Sequence, residues 1–169
     1  MVKIDIFTAS ICYSKENPRK VGSWAAIVKV DNDEIQSLSG SDTNTNCIRM
    51  QLTAFIQALL KIKSEVKSDA HVSIYTQNEY IYNTFKYNNY WKWQDNGWVT
   101  ALDKPVKNQD LLESLIELVE ELDVEFIKLE PDSRDILGNK AQFLARKALR
   151  SKLNSKSKIY PKSQDEIRF

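Results

Sequence analysis

The 169 residues, 42% hydrophobic and 10% aromatic, give enough length and apolar material for one domain with its own core, which argues against a multidomain chain and against intrinsic disorder. Lys plus Arg number 24 against 23 Asp plus Glu, so a net charge of +1 offers no overall attraction to a polyanion, and any nucleic-acid affinity has to be local. Cys12 and Cys47 make no disulfide scaffold in a chain of this size and form no Cys-x-x-Cys pair. With Asp5 interrupting the N-terminal apolar run and no stretch near the ~20 apolar residues of a membrane span, the expected setting is a reducing cytoplasm.

Residues 3 to 12 are β-branched and apolar and read as a strand buried on both sides. Segment 22 to 30 places Trp24, Ala26, Val28 and Val30 on one face of a period-2 pattern, Asp31-Asn32-Asp33 is a turn signal, and 34 to 39 alternates again, so 22 to 39 reads as a hairpin. From Met50 to Ile62 apolar residues recur at helical spacing without Gly or Pro. Residues 72 to 76 read as a fourth strand and 78 to 87 as a short helix carrying Tyr80, Ile81, Thr84 and Phe85. Tyr90, Trp91, Trp93 and Trp98 then cluster around Gly97. A helix follows over Leu111 to Leu122, a fifth strand over Val124 to Leu129, and a last helix over Asn139 to Leu149. The order βββαβααβα predicts an α/β domain over residues 1–150, with a five-stranded mixed sheet and helices on both faces. Residues 151–169 read as a basic, loosely ordered C-terminal tail.

Local charge is far from even. Between Asp110 and Asp135 ten acidic residues face two basic ones, a net of −8, whereas Arg146 to Lys162 holds seven cations and no acid, a net of +7. Two solvated faces of opposite sign, or a surface for a protein partner or for self-association, are both compatible with this.

Several strings, in this order and at this spacing, resemble the ribonuclease H type 1 family over about residues 3 to 150. They are Ile6-Phe7-Thr8-Ala9-Ser10 ending the first strand, Arg49-Met50-Gln51-Leu52 opening the first helix, and Tyr75-Thr76-Gln77-Asn78-Glu79-Tyr80 closing the fourth strand. Gly97-Trp98-Val99-Thr100, Lys104-Pro105-Val106-Lys107-Asn108 and Gly138-Asn139-Lys140-Ala141-Gln142 complete the set. The resemblance implies a ribonuclease H-like fold and hydrolysis of the RNA strand of an RNA/DNA hybrid with two Mg2+ ions held by four carboxylates. Two hard cations about 4 Å apart share a pocket only where dense negative charge offsets their repulsion. The four matching positions here are Ala9, Gln51, Gln77 and Gln142, and none is charged. The family's mobile histidine is also missing from the loop after the fifth strand, and the single histidine, His71, precedes the fourth strand in a surface or strand-edge role.

Asp5 shares strand parity with Ala9 but lies about 13 Å back along a strand, too far to substitute. Glu79 and Asp132, with Asp135 in the same loop, are the weaker alternative as metal ligands of a displaced site. The basic protrusion that many members use to grip phosphates is reduced to Trp91-Lys92-Trp93-Gln94-Asp95-Asn96, with one cation and one anion. Trp93 and Trp98 suit the mini-core of this protrusion better than a stacking platform, yet stay candidate contacts. Thr45 and Asn46 resemble the family's segment that contacts the DNA backbone and minor groove, but Cys47-Ile48 stands where the family has a shorter, polar link, and one inserted residue is expected to rotate or bulge the approach to the helix. Asn108 matches a phosphate-pocket position, and Arg146 and Arg150 open the basic C-terminal stretch as a further nucleic-acid surface.

The expectation is a catalytically inactive ribonuclease H-like protein, a pseudoenzyme acting as a binding or scaffolding module with residual nucleic-acid binding, needing no metal cofactor and no membrane. The alternative is a divergent RNA/DNA-hybrid endoribonuclease with a relocated or single-metal site that uses Mg2+ or Mn2+.

Overall fold

The computed structural model describes residues 1–12, 20–31, 34–66, 69–130 and 135–159. Five strands, β1 (Val2–Cys12), β2 (Gly22–Val30), β3 (Glu34–Asp42), β4 (Ala70–Thr76) and β5 (Asp123–Lys128), form one sheet in the order β3-β2-β1-β4-β5. The first three pair antiparallel, while β4 runs parallel to both β1 and β5. Such a mixed sheet needs crossover connections. They are α1 (Cys47–Glu65) between β3 and β4, and α2 (Glu79–Lys86), α3 (Tyr90–Asn96) and α4 (Gln109–Glu121) between β4 and β5. The closing helix is α5 (Ile136–Ile159).

Strand parity divides the core in two. Ile4, Ile6, Ala26, Val28, Val72, Ile74 and Phe126 turn to one face, where Leu52, Phe55 and Leu59 of α1 and Leu112 and Leu115 of α4 cover them. Phe7, Ala9, Ala25 and Ile27 turn to the other and meet Ala141 and Ala145 of α5. The small alanines let α5 approach closely enough for the Ser23 hydroxyl to donate to the Ala145 carbonyl at 2.6 Å. Completely burying a side chain such as Phe55 contributes about 1.5–3 kcal/mol, so the wider α1/α4 layer carries most of the hydrophobic stabilisation.

The five-stranded mixed sheet with helices on both faces is as expected; several details differ. Seven residues of the aromatic segment form α3, which ends where Gly97 turns left-handed (φ 78°) and the Trp98 N–H reaches the Trp93 carbonyl at 2.7 Å. The strand β2 is buried on both sides, because Ala25 and Ile27 pack as tightly as Ala26 and Val28. The chain is helical from the first residue of α1. Cys47 and Ile48 form its first turn, capped by Asn46, whose side chain accepts from the Arg49 N–H at 2.9 Å. The expected tail is helical as far as Ile159, since nothing between Gly138 and Pro161 interrupts α5.

The cysteines require a correction. Cys12, ending β1, and Cys47, opening α1, are joined in a disulfide with their Cα atoms 5.4 Å apart. The fold, not the spacing of the residues in the chain, brings them together. Among the described residues no helix is long and apolar enough to cross a membrane.

Candidate amide-lined site

Register places the site. β1 pairs with β2 as far as Cys12 opposite Gly22, but its pairing with β4 ends at Phe7 opposite Tyr75. Beyond Phe7, β1 overhangs its parallel neighbour at the point where the chain order reverses across the sheet, the usual place for a ligand crevice in α/β folds. The crevice is a cavity of about 350 Å3 that all four singled-out residues line: Ala9 and Gln51, with Gln77 and Gln142. The sequence predicted this convergence only through the resemblance; the overhang and the starts of α1, α2 and α5 produce it.

Ala9 turns its methyl to the α5 face, buried with Ala141 and Ala145. Thr8 and Ser10 have the opposite parity and meet α1. The Gln51 amide donates to the Thr8 hydroxyl, and its carbonyl accepts from Ser10 at 3.2 Å. At 8% exposure Gln51 therefore has both ends of its amide satisfied inside the protein. Gln77, just past β4, and Gln142, nearly two turns into α5, are exposed, and their side chains have no hydrogen-bond partner among the described residues.

Charge in the cavity is sparse. Asp135 is the one carboxylate among its described lining residues, and its Oδ1 accepts from the Leu137 N–H at 2.9 Å, capping α5. Arg146 is the one cation among those described lining residues. Tyr75 stacks on Phe7 at 4.6 Å, and burial, followed by the charge of Asp5, raises its hydroxyl pKa, so it stays protonated. This donor set does not fit a pair of hard divalent cations, which take several carboxylate oxygens. Among the described residues no group of three or more His, Cys, Asp or Glu could hold a metal.

Glu79 is absent from the described cavity wall and pairs with Lys128 at 3.5 Å. Asp132 lies outside the described residues. His71 belongs to β4 itself rather than preceding it, and its ring meets Asp123 at 2.7 Å and Glu125 at 3.4 Å, which raises its pKa, the Asp123 hydrogen bond first.

The expected nucleic-acid contacts scatter. Thr45 is buried, its Oγ1 without a partner among the described residues and its methyl within 2.9 Å of where a side chain on Gly22 would begin. The side-chain oxygen of Asn46 is spent on capping α1. Asn108, left-handed at φ 62°, accepts from Arg49 at 3.3 Å, and Arg49 also grips Asp110 through two hydrogen bonds of 3.0 and 2.8 Å. That contact raises the Arg49 pKa and lowers that of Asp110. Trp93 packs on Trp98 at 6.0 Å and on Tyr80 at 6.4 Å, bordering an apolar groove of about 640 Å3 with Leu102 and Pro105. Arg146 and Arg150 stand exposed one turn apart on α5. Thr8, Ser10, Tyr75 and Asn139 were missed by sequence reasoning, although strand parity already placed Thr8 and Ser10 on the face that Gln51 approaches.

Comparison with known proteins agrees with this architecture. The RNase H family model matches residues 3–150. Ribonuclease H of Prosthecochloris aestuarii is 36% identical over 88% of this chain and 97% of its own length, and that of Moorella thermoacetica 32% identical over 88% and 93%. Among solved structures, LC9-RNase H1, a type 1 RNase H with the type 2 active-site motif, superposes with a TM-score of 0.75 at 17% identity, covering 88% of this chain and 72% of that one. LC11-RNase H1 in complex with RNA/DNA hybrid superposes with a TM-score of 0.60 at 12% identity over 90% and 99%. The fold and the sequence matches define a ribonuclease H-like α/β domain. This chain belongs to the RNase H family.

Proposed function

We propose that this protein binds RNA/DNA hybrid without hydrolysing it. One observation carries the reading: the cavity at the overhang of β1 is built from Ala9, Gln51, Gln77 and Gln142, with Gln51 hydrogen-bonded to Thr8 and Ser10 rather than open to a ligand. With three amides and a methyl at these positions, the described wall holds one carboxylate, Asp135, against one cation, Arg146, too little negative charge to hold two divalent cations and activate a water between them. No metal cofactor is expected. The choice of hybrid follows from family membership, supported by LC11-RNase H1, which was crystallised with RNA/DNA hybrid.

The test is direct. Purified protein with a labelled hybrid and Mg2+ or Mn2+ should retard the hybrid at low salt and leave its RNA strand intact. Cleavage that a chelator abolishes would overturn the proposal and favour a relocated metal site.

A second reading, contact between copies, is favoured by one observation. The exposed acids Glu113, Glu117 and Glu120 of α4 and the exposed cations Arg146, Lys147 and Arg150 of α5 lie on opposite faces of the sheet. Head-to-tail association would then appear in light scattering at low salt and dissolve as salt screens the attraction.

A further inference from the structure

The four singled-out positions set more than an absence. We infer that the amide-lined cavity seats a phosphodiester of the bound hybrid directly, through N–H donors and a guanidinium with no metal between, so that hybrid binding is indifferent to divalent cations. This inference rests on the hybrid-binding reading above.

A phosphodiester is an anion with strong acceptor oxygens. A cavity walled by four carboxylates would repel it unless cations intervened. Here the described wall carries one formal negative charge, Asp135, and one positive, Arg146. Asp135 opposes an anion, but one of its oxygens is held by the Leu137 N–H at the start of α5. Arg146 presents a fork of five N–H donors suited to phosphate.

Gln77 and Gln142 each add an NH2 group. Both side chains are exposed and lack hydrogen-bond partners among the described residues, so engaging an anion breaks no internal contact. Gln51 plays a different part. Its amide is tied to Thr8 and Ser10, so it shapes the floor while Gln77, Gln142 and Arg146 supply the donors. The cavity, about 350 Å3 and open at the ends of β1 and β4, lies within the ordinary range for ligand sites.

The experiment compares wild type with the double variant Gln77→Glu/Gln142→Glu by fluorescence anisotropy on labelled hybrid at low salt, in EDTA and in millimolar Mg2+. Both positions are exposed, and a thermal melt checks that the variant folds. Wild-type Kd should agree within about twofold between the two buffers. In EDTA the double variant should bind about tenfold more weakly, because two carboxylates now face the phosphate, and Mg2+ should recover part of the loss. Wild-type binding that collapses in EDTA, or a double variant that binds like wild type there, overturns the direct seat while leaving hybrid binding intact. No hybrid binding by wild type in either buffer removes the hybrid-binding reading, and this inference with it.

Discussion

Opening the Cys12–Cys47 bond should lower stability chiefly by freeing the unfolded chain. The bridge closes a loop with a sequence separation of 35. In the chain-entropy model that loop corresponds to about −12.7 cal/mol/K, or about 3.8 kcal/mol at 25 °C. At about 2–4 °C per kcal/mol for a domain of this size, Tm should fall by about 8–15 °C on reduction or in the double variant Cys12→Ser/Cys47→Ser. Cys47 is exposed and Cys12 half-buried, so serines there leave no large apolar void and native packing contributes little to the loss. The assay is urea unfolding followed by circular dichroism, oxidised against reduced, with a thiol titration of the denatured oxidised chain that should find no free thiol. An entropic origin also predicts a larger m-value for the reduced protein, since an unclosed unfolded state exposes more surface. A fall in Tm below about 2 °C with an unchanged m-value, in protein shown to have no free thiol before reduction, would refute the reasoning.

Reintroducing acids as Ala9→Asp/Gln51→Glu/Gln77→Asp/Gln142→Asp should make melting metal-dependent, with Mg2+ at a hundredfold excess over its Kd adding about 2.7 kcal/mol. Wild type should melt at the same temperature with or without Mg2+. His71 gains its partners Asp123 and Glu125 on folding, which raises its pKa. Its contribution is therefore complete below the unfolded value of 6.5 and is lost as pH rises through the higher folded one, so the Tm of wild type should decline over that interval more than the Tm of His71→Gln. The difference should stay within about 1 kcal/mol, as for other exposed ion pairs. Gly40→Ala places a methyl 2.7–2.9 Å from the Trp24 indole on the paired strand and should cost about 1–3 kcal/mol in chemical denaturation.

Much of the fold was legible because long, strongly patterned segments announce themselves. Leu52, Phe55, Ile56 and Leu59 write a helix, and Ile4 and Ile6 with Phe7 and Ala9 write a strand buried on two faces. Weak signals failed where packing is one-sided or tertiary. Of the α3 residues Tyr90 is the buried one, so seven residues give too short a period to read. The Ala25 and Ile27 face of β2 is hidden in the alternation because Trp24, Ala26, Val28 and Val30 already fill one face of the period-2 pattern, although Trp24 itself lies half-buried over Gly40. The disulfide and the burial of Thr45 depend on how α1 docks against the end of β1, which no local pattern encodes. Within the site, the four positions were legible from flanking strings, whereas the Thr8–Gln51–Ser10 hydrogen bonds needed helix and strand to be brought together.

The proposed loss of chemistry need not loosen the fold, because the backbone rather than the acids makes the crevice. Its floor is the stretch of β1 beyond Phe7, held by pairing to β2 and by the bond from Cys12 to α1. An acid at position 51 would put a charge at 8% exposure beside other carboxylates in the absence of metal. The amide keeps the contact with Ser10 and, as a donor, adds the one to Thr8. Neutral side chains also relieve the mutual repulsion that four clustered carboxylates impose on a metal-free fold. On the proposed reading, metal-independent binding and the absence of cleavage favour the same neutral side chains at these positions. That coincidence makes the restored-acid variant informative: it should melt lower than wild type in EDTA, and recover with Mg2+ what the added charges removed.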